Sequence, residues 1–407
     1  MSVKKVSVIG LGYIGLPTAT LIANHGFHVY GMDPVADVVD TINQGRIHIV
    51  EPGLEDFVRK AVESGNLAAD TQPHAADVFI LAVPTPFKGD KEPDLSYVES
   101  AAREIAPCLK EGNLIILEST SPVGTTEKIR QWIIDENKSL ENKRLYFSHC
   151  PERVLPGKIV QELSQNDRII GGIDKESTDK TVEFYQHFVK GALLRTDART
   201  AELSKLTENS FRDVNIAFAN ELSIICEKLG INVWELIRLA NRHPRVNILQ
   251  PGPGVGGHCI AVDPWFIVDC APAEARLIRT ARQVNDNKPH YVMSKVYEAL
   301  KNIPHPVVAC LGLAFKPDID DLRESPSLQI AYDLAKNGKA GIIAVEPNIK
   351  SLPPKLQGMK NVKFMGYEEA IDKADIVLLL VDHKEFKAMD KKLLDGKIVI
   401  DTRGIWA

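Results

Sequence analysis

The sequence lacks the features that mark several classes of protein. None of its six cysteines forms a C-x-x-C pair and their spacing is irregular, which argues against a disulfide framework or a zinc site. No apolar run approaches the ~20 residues of a membrane-spanning helix. The N-terminal residues have neither the apolar region nor the cleavage site of a secretory signal. We therefore expect reduced thiols and a cytoplasmic protein.

The chain also has no large excess of positive or negative charge. The chain has 49 Lys and Arg against 54 Asp and Glu, a formal net charge of −5, so neither nucleic acid nor an anionic membrane is indicated as a partner. Hydrophobic residues make up 44% and charged residues 25%, which is ordinary for a globular protein and excludes disorder, collagen and coiled coil. A length of 407 residues predicts two or three domains.

Short apolar runs alternate with helical patterns at both ends of the chain. A run at 6–9 is followed by a glycine-rich turn, a helical pattern over about 16–26 and a second run that ends at Asp33. The region from 307 repeats this plan, with Glu346 where the first half has Asp33. Such alternation predicts βαβ units and parallel sheets. Between the two halves, over about 198–300, the pattern is helical.

We therefore predict an α/β fold in which two Rossmann-like, doubly wound parallel-sheet domains are joined by a central helical domain. The predicted boundaries are 1–197, 198–300 and 301–407.

A G-x-G-x-x-G motif lies between the first strand and the first helix. Gly10 permits the tight turn, Gly12 allows the backbone to approach a pyrophosphate, and Gly15 lets the helix pack against the strand. Asp33 follows Gly15 by eighteen residues, where a carboxylate binds ribose hydroxyls and repels a 2′-phosphate. The motif thus predicts NAD rather than NADP. The second half lacks it and is expected to bind a different ligand.

A second glycine-rich segment, at 252–257, leads to Cys259, and Asp263 follows four residues later. Cysteine is often a small buried residue, but a thiol at the end of a glycine-rich loop indicates a covalent nucleophile. His258 is the neighbour of Cys259, yet adjacent side chains usually diverge, so a Cys–His dyad is not favoured.

Lys205, Asn209 and Arg212 are spaced i, i+4, i+7 and form one stripe on a helix. Such a stripe is either the solvent-exposed face of the helix or a set of groups that binds an anionic ligand. Arg153 and Lys316 add cationic groups near predicted strand ends. Together these residues indicate a multiply charged phosphate substrate.

These motifs resemble those of the UDP-glucose/GDP-mannose dehydrogenase family over essentially the whole chain. The specific segments are 83–86, 118–124, 150–157, 205–209, 252–263 and 312–323. The runs 209–215 and 241–265 resemble the subgroup that oxidises UDP-N-acetyl-D-mannosamine for enterobacterial common antigen synthesis. UDP-glucose dehydrogenases carry a second carboxylate where this chain has Pro156, so the resemblance does not assign the residue that activates the hydrolytic water.

The resemblance implies two successive oxidations of a sugar C6 alcohol with two NAD molecules. Cys259 would form a thiohemiacetal and then a thioester, and Lys205 would transfer protons and stabilise oxyanions. Asn209 would add a hydrogen bond, and Asp263 would orient Lys205 or water. Glu152 and Thr120 complete the implied catalytic set.

The family also implies the binding residues. The expected NAD contacts are Gly10, Gly12, Tyr13, Ile14, Gly15, Asp33, Thr85, Thr126 and Arg323. The expected contacts to the UDP-sugar are Arg153, Val154, Lys205, Asn209, Arg212, His243, Arg245, Gly256, Phe315, Lys316 and Arg403. The domain at 198–300 would form a homodimer in which Arg245 reaches the partner's site, and no metal, nucleic acid or membrane is expected to bind.

Three other interpretations stay open. The substrate within the family could be UDP-glucose or UDP-N-acetylglucosamine. A 3-hydroxyacid or phosphogluconate dehydrogenase shares a G-x-G-x-x-G domain with a helical domain, but needs neither the cysteine loop nor a second α/β half. A non-catalytic NAD sensor would not need Lys205, Asn209 and Cys259.

Overall fold

The structure is a computed structural model that describes residues 3–89, 91–154, 157–257 and 259–406. The chain divides into two compact units, Met1–Glu208 with Trp265–Cys270, and Asn209–Pro264 with Ala271–Ala407. A helix of 32 residues, Ala198–Leu229, runs through the boundary between them. The three-part division proposed from the sequence remains a prediction.

The first unit is built on an eight-stranded sheet. Its strands and a small hairpin (β5, β6) are β1 Lys5–Ile9, β2 His28–Met32, β3 Leu67–Asp70, β4 Val78–Leu81, β5 Phe87–Lys88, β6 Glu92–Pro93, β7 Leu114–Leu117, β8 Tyr146–His149, β9 Arg168–Gly172 and β10 Leu193–Asp197. Its helices are α1 Gly15–Asn24, α2 Ala36–Asn43, α3 Leu54–Glu63, α4 Ser96–Ile105, α5 Thr125–Glu136, α6 Ile159–Gln165 and α7 Lys175–Tyr185. The strand order is β10-β9-β8-β7-β4-β1-β2-β3.

The side-chain alternation of the strands explains why helices cover both faces of this sheet. Val78 and Ile80 of β4 point into the apolar layer beneath α1 and α3, whereas Phe79 and Leu81 point into the layer beneath α4 and α5. Strands buried on both faces read as continuous apolar runs, as these do. Within the eight-stranded sheet the neighbouring strands are parallel except β8 and β9, which run antiparallel, a reversal that the sequence pattern did not predict.

The second unit holds the remaining elements. Two helices, α8 Ala198–Leu229 and α10 Asp263–Cys270, cross the boundary between the units. The helices α9 Val233–Ala240 and α11 Arg276–Leu300 lie wholly in the second unit. The C-terminal elements are β11 Val307–Leu311, α12 Pro326–Asn337, β12 Gly341–Val345, β13 Val362–Phe364, α13 Tyr367–Lys373, β14 Ile376–Leu379, α14 Lys384–Ala388 and β15 Ile398–Asp401. The parallel sheet has the order β13-β12-β11-β14-β15.

The two sheets share one local topology. In the first, β1 lies between β2 and β4, and in the second, β11 lies between β12 and β14. Apolar layers cover both faces of the second sheet as well. The predicted fold class, two doubly wound α/β sheets with a helical region between them, is confirmed. Among the described helices, none combines the length and apolar character needed to cross a membrane.

Candidate active site

The cysteine loop of the second unit ends in a turn that presents the thiol. The carbonyl of Cys259 accepts hydrogen bonds from the backbone amides of Val262 (3.1 Å) and Asp263 (2.9 Å), and this turn leads into α10. Cys259 is exposed and forms no disulfide. A solvent-accessible thiol in such a turn can be reached by a bound substrate, whereas a buried thiol would only fill the core.

Asn209 and Asp263 were both predicted to be catalytic, and the structure brings them together. The side-chain amide of Asn209 donates a 2.5 Å hydrogen bond to Asp263 Oδ2, and both residues are buried. Lys205 lies one turn before Asn209 on α8, so the two side chains share a face of that helix.

Predicted substrate residues pack directly on the glycine-rich segment. Gly257 has φ +83°, and a Cβ there would lie 3.0 Å from the ring of Phe315. A Cβ on Gly252 would lie 2.5 Å from a guanidinium nitrogen of Arg403. Glycine at these positions therefore lets the loop lie against the two side chains. Arg403 is held by Asp382, whose Oδ1 accepts from its Nε at 2.9 Å.

Glu152 belongs to a buried ionic cluster in the first unit. Arg168 Nη1 lies 2.8 Å from Glu152 Oε2 and 3.7 Å from Glu118 Oε1. Tyr185 donates a 2.6 Å hydrogen bond to Glu118, and Thr18 donates a second at 3.2 Å. Burial raises the pKa of Glu118 to about 7 although Arg168 opposes that shift.

The antiparallel pairing of β9 with β8 explains why this cluster forms. Glu118 follows β7, and Glu152 lies just beyond β8. Because β9 runs in the opposite direction, its first residue, Arg168, lies at the edge where β7 and β8 end. The sequence analysis missed Arg168; a lone arginine opening an otherwise apolar strand was the signal available.

The glycine turn of the first unit has the geometry that dinucleotide binding needs. A Cβ at Gly15 would lie 1.7 Å from the carbonyl oxygen of Gly10, so this position tolerates only glycine. A Cβ at Gly12 would meet nothing within 4 Å, which leaves space above the turn for a phosphate. The turn lies at the carboxyl end of β1, where the order β4-β1-β2 reverses the direction of winding.

Comparison with known proteins identifies the family. The family's NAD binding domain matches residues 4–189, its central domain matches 199–287 and its UDP binding domain matches 309–407. The chain belongs to the UDP-glucose/GDP-mannose dehydrogenase family. The predictions of an NAD-dependent nucleotide-sugar dehydrogenase and of NAD as its cofactor are therefore confirmed.

Similar proteins span the whole chain. It is 59% identical to the UDP-N-acetyl-D-mannosamine dehydrogenase of Campylobacter jejuni over 94% of this chain and 96% of that protein. It is 57% identical to the NDP-N-acetyl-D-galactosaminuronic acid dehydrogenase of Ralstonia nicotianae over 99% and 96%. The solved structure of the UDP-D-ManNAc dehydrogenase from Pyrococcus horikoshii has a TM-score of 0.90 at 38% identity, covering 99% and 96%.

Asp33, at the end of β2, fits the ribose-binding role expected in this family. Its Oδ2 accepts from the amide of Leu11 in the glycine turn (3.1 Å), and its Oδ1 accepts from the amide of Val35 (3.1 Å). These bonds fix the carboxylate beside the turn, and each oxygen keeps lone-pair capacity for a ribose hydroxyl.

We expect the enzyme to prefer NAD over NADP because the 2′-phosphate of NADP would face the Asp33 carboxylate. Two like charges in a partly buried site cost about 1–3 kcal/mol, or roughly five- to 150-fold in kcat/KM. The measurement is kcat/KM for each cofactor. Asp33→Asn should lower the ratio of kcat/KM for NAD to kcat/KM for NADP. Equal kcat/KM for the two cofactors in the unmodified enzyme would contradict the role of Asp33.

Glu346 of the second sheet stands at the position that corresponds to Asp33, and protein groups already occupy its carboxylate oxygens. Glu346 is buried and accepts from the backbone amides of Leu313 (2.8 Å) and Ala314 (3.0 Å) and from Asn348 (3.1 Å). His383 lies 3.0 Å from the same carboxylate. Glu346 therefore stabilises the turn after β11 and has little capacity left for a ribose, in keeping with the missing glycine motif.

Several other predicted cofactor residues have protein partners. Thr126 is buried, and its hydroxyl donates to Glu202 Oε1 at 2.7 Å. Glu202 also accepts from the amides of Gly124 and Thr126, so it caps the start of α5. The Thr85 hydroxyl donates to the carbonyl of Thr120. Ile14 precedes α1 and Tyr13 is exposed at the turn, as cofactor contacts would require.

The predicted anion-binding residues differ in their surroundings. Arg153 forms an ion pair with Glu208 (2.8 Å), and Arg323 forms one with Asp321 (2.6 Å). Val154 packs against the core of the first unit, and Lys316 lies over the ring of Phe315. The exposed residues of this set are Arg212, His243, Arg245 and Arg323. Pro156 and His258 lie outside the described residues.

Proposed function

We propose that the protein oxidises the C6 alcohol of UDP-N-acetyl-D-mannosamine to UDP-N-acetyl-D-mannosaminuronate with two molecules of NAD. The observation that carries the proposal is the loop of the second unit, where exposed Cys259 adjoins the buried Asn209–Asp263 pair. Phe315 and Arg403 pack against the glycine-rich part of the same loop. A thiol next to groups suited to a nucleotide is what a covalent sugar oxidation requires.

In the proposed reaction Cys259 retains the aldehyde formed by the first oxidation. Its thiolate adds to the aldehyde carbon to give a thiohemiacetal, and the second oxidation converts this adduct to a thioester. Water then displaces the thiol and leaves the carboxylate. NAD, when bound, accepts the hydride in each oxidation. The covalent adduct lets one site perform both oxidations without release of the aldehyde.

Five polar residues are proposed to handle protons and negative charge in this reaction. Lys205 would accept the proton of the C6 hydroxyl and stabilise the oxyanion, together with Asn209. Asp263 would orient the Asn209 amide that it already binds. Glu152 and Thr120 are proposed to complete this set, and the 2.8 Å ion pair with Arg168 would hold the Glu152 carboxylate in position.

The identity of the sugar is proposed from the relatives. Full-length relatives at 54–59% identity are named UDP-N-acetyl-D-mannosamine dehydrogenases. The Ralstonia relative is named for a sugar of different configuration, so an N-acetylgalactosamine nucleotide is the second candidate.

A substrate panel tests the proposal directly. Purified protein is given NAD and, separately, UDP-N-acetyl-D-mannosamine, UDP-N-acetylgalactosamine, UDP-N-acetylglucosamine and UDP-glucose. We expect two NADH per sugar, with the largest kcat/KM for UDP-N-acetyl-D-mannosamine. One NADH per sugar would indicate a simple alcohol dehydrogenase, and none with any sugar would favour an NAD-sensing protein.

We also propose a homodimer that forms through α8. Phe211, Phe218 and Ile225 are spaced seven residues apart on this helix and are 69%, 52% and 44% exposed. A seven-residue repeat of large apolar side chains on an exposed helix face is the pattern of a helix–helix interface. A second copy of the same helix supplies the matching surface in a two-fold dimer.

Phe218→Glu should therefore convert the dimer to a monomer, because it would bury a carboxylate in the apolar interface. The expected loss is roughly 2 kcal/mol or more of association free energy, at least thirtyfold in Kd. Light scattering after size-exclusion chromatography gives the mass directly. Tyr97→Glu, at an exposed aromatic residue on α4, is the matched control and should leave the mass unchanged.

We propose that the enzyme works in the cytoplasm, where its thiols stay reduced and Cys259 can act as a nucleophile. Its product would be consumed by a surface polysaccharide pathway such as that of enterobacterial common antigen.

A further inference from the structure

A buried polar network lies between two helices of the second unit. Asp213 and Asn220 are two turns apart on α8, and Arg282 and Asn285 are one turn apart on α11. Their exposed fractions are 0%, 0%, 1% and 1%, respectively. Neither the catalytic assignment nor the binding assignment uses any of these four residues.

The network holds the cysteine loop at both ends. At the first end, the backbone amide of Gly252 donates a 2.9 Å hydrogen bond to Asn220 Oδ1. At the other end, the carbonyl of Ile260, the residue after Cys259, accepts from Arg282 Nη1 over a longer distance of 3.5 Å. The nucleophile therefore lies on a segment whose two ends are bound to one set of side chains.

The hydrogen bonds between the four side chains are continuous. Asn220 Nδ2 donates to Asn285 Oδ1 (2.8 Å), and Asn285 Nδ2 donates to Asp213 Oδ1 (2.8 Å). Arg282 Nη1 donates to the same oxygen of Asp213 at 2.5 Å. Asp213 thus joins the path from Gly252 to the path from Ile260.

The groups at the two ends of this hydrogen-bonded path, the Gly252 amide and the Asp213 carboxylate, fix the orientation of the side-chain amides of Asn220 and Asn285. The Gly252 amide only donates, so Asn220 must present its oxygen there and its nitrogen to Asn285. The Asp213 carboxylate only accepts, so Asn285 must present its nitrogen to it. Every amide group in the path is satisfied in one arrangement, and reversing either amide would place two donors or two acceptors face to face.

A buried ion pair of this kind contributes little net stability, because desolvation offsets the attraction. The loop, however, needs restraint: its four glycines at 252, 254, 256 and 257 give it large conformational freedom when unbound. A nucleophile must be held within a fraction of an ångström of its reactive position.

We propose that Asn220, Asn285, Asp213 and Arg282 are positioning residues that fix the cysteine loop for attack on the aldehyde. The inference rests on the proposed nucleophilic role of Cys259. It predicts that loosening the network lowers kcat while NAD affinity, which depends on the first unit, stays unchanged.

The first test uses the unmodified enzyme. Hydrogen exchange resolved at single residues should show the Gly252 amide exchanging at least about a hundredfold more slowly than an unprotected amide. Unprotected exchange at Gly252 would overturn the proposal without any substitution, so the inference stays testable if a variant fails to fold.

The second test is Asn220→Leu, which removes the acceptor for Gly252 at similar volume. We expect exchange of the loop amides to rise about tenfold and kcat to fall about tenfold, the scale of one lost buried hydrogen bond, with KM for NAD unchanged. Arg282→Lys keeps the charge beside Asp213 but shortens the reach to Ile260, and it should lower kcat by about threefold.

Asn361→Leu is the matched control. Asn361 donates to the carbonyls of Ala335 (2.8 Å) and Ala340 (3.2 Å) in the C-terminal sheet, away from the loop. It should lower Tm but leave loop exchange and kcat unchanged. Faster loop exchange in Asn220→Leu with unchanged kcat would overturn the positioning role. Full four-electron activity in Cys259→Ser would instead refute the nucleophile, whatever the exchange data show.

Discussion

Cys259→Ser should abolish the four-electron oxidation. A serine hydroxyl is far less ionised than a thiol near neutral pH, and its ester is a poorer acyl donor than a thioester. We expect the steady-state rate of NADH formation to fall by at least about a thousandfold, equivalent to roughly 4 kcal/mol on the barrier. The measurement is NADH absorbance with saturating UDP-sugar and NAD.

Cys270→Ser is the matched control for this substitution. Cys270 is the other exposed cysteine in the described part of the chain, at the end of α10, and its thiol has no role in the proposed chemistry. This variant should retain nearly full activity. Sustained turnover by Cys259→Ser at the rate of the unmodified enzyme would show that the nucleophile is a different residue.

The α/β plan could be predicted because local patterns determine it. Strands buried on both faces read as apolar runs, and the turn at Gly10–Gly15 requires glycine for close approach of the backbone. The apolar run at 6–9 becomes the strand Lys5–Ile9 in the structure, and the predicted helix at 16–26 spans Gly15–Asn24. Errors of one or two residues at the ends of elements reflect fraying and capping, which a sequence pattern does not resolve.

The reversal of β9 could not be predicted, because strand direction depends on contacts between distant segments. Its consequence is chemical, since it brings Arg168 to Glu152 and Glu118. The Asn220–Asn285 pair was missed for the same reason: the two residues are 65 positions apart. Cys259 and Asp263, by contrast, could be proposed from the sequence because a glycine-rich loop and a short spacing mark them locally.

Arg245→Ala should weaken binding of the nucleotide sugar and leave NAD binding unchanged. In the structure Arg245 is exposed in the turn after α9, where its amide donates to His243 Nδ1 at 3.3 Å. If its guanidinium binds the diphosphate, its loss removes a charge-assisted hydrogen bond worth about 1.5–3 kcal/mol. The KM for the UDP-sugar should then rise roughly ten- to a hundredfold.

Mixed dimers show which subunit's site the arginine serves. If Arg245 acts across the dimer, mixing Arg245→Ala with Cys259→Ser protomers should restore activity. In a hybrid, the protomer with Arg245→Ala keeps Cys259, and its partner supplies an intact arginine to that site. The opposite site has neither group, so the hybrid should reach about half the activity per dimer of the unmodified enzyme. Verified hybrids without activity would show that Arg245 serves the site of its own subunit.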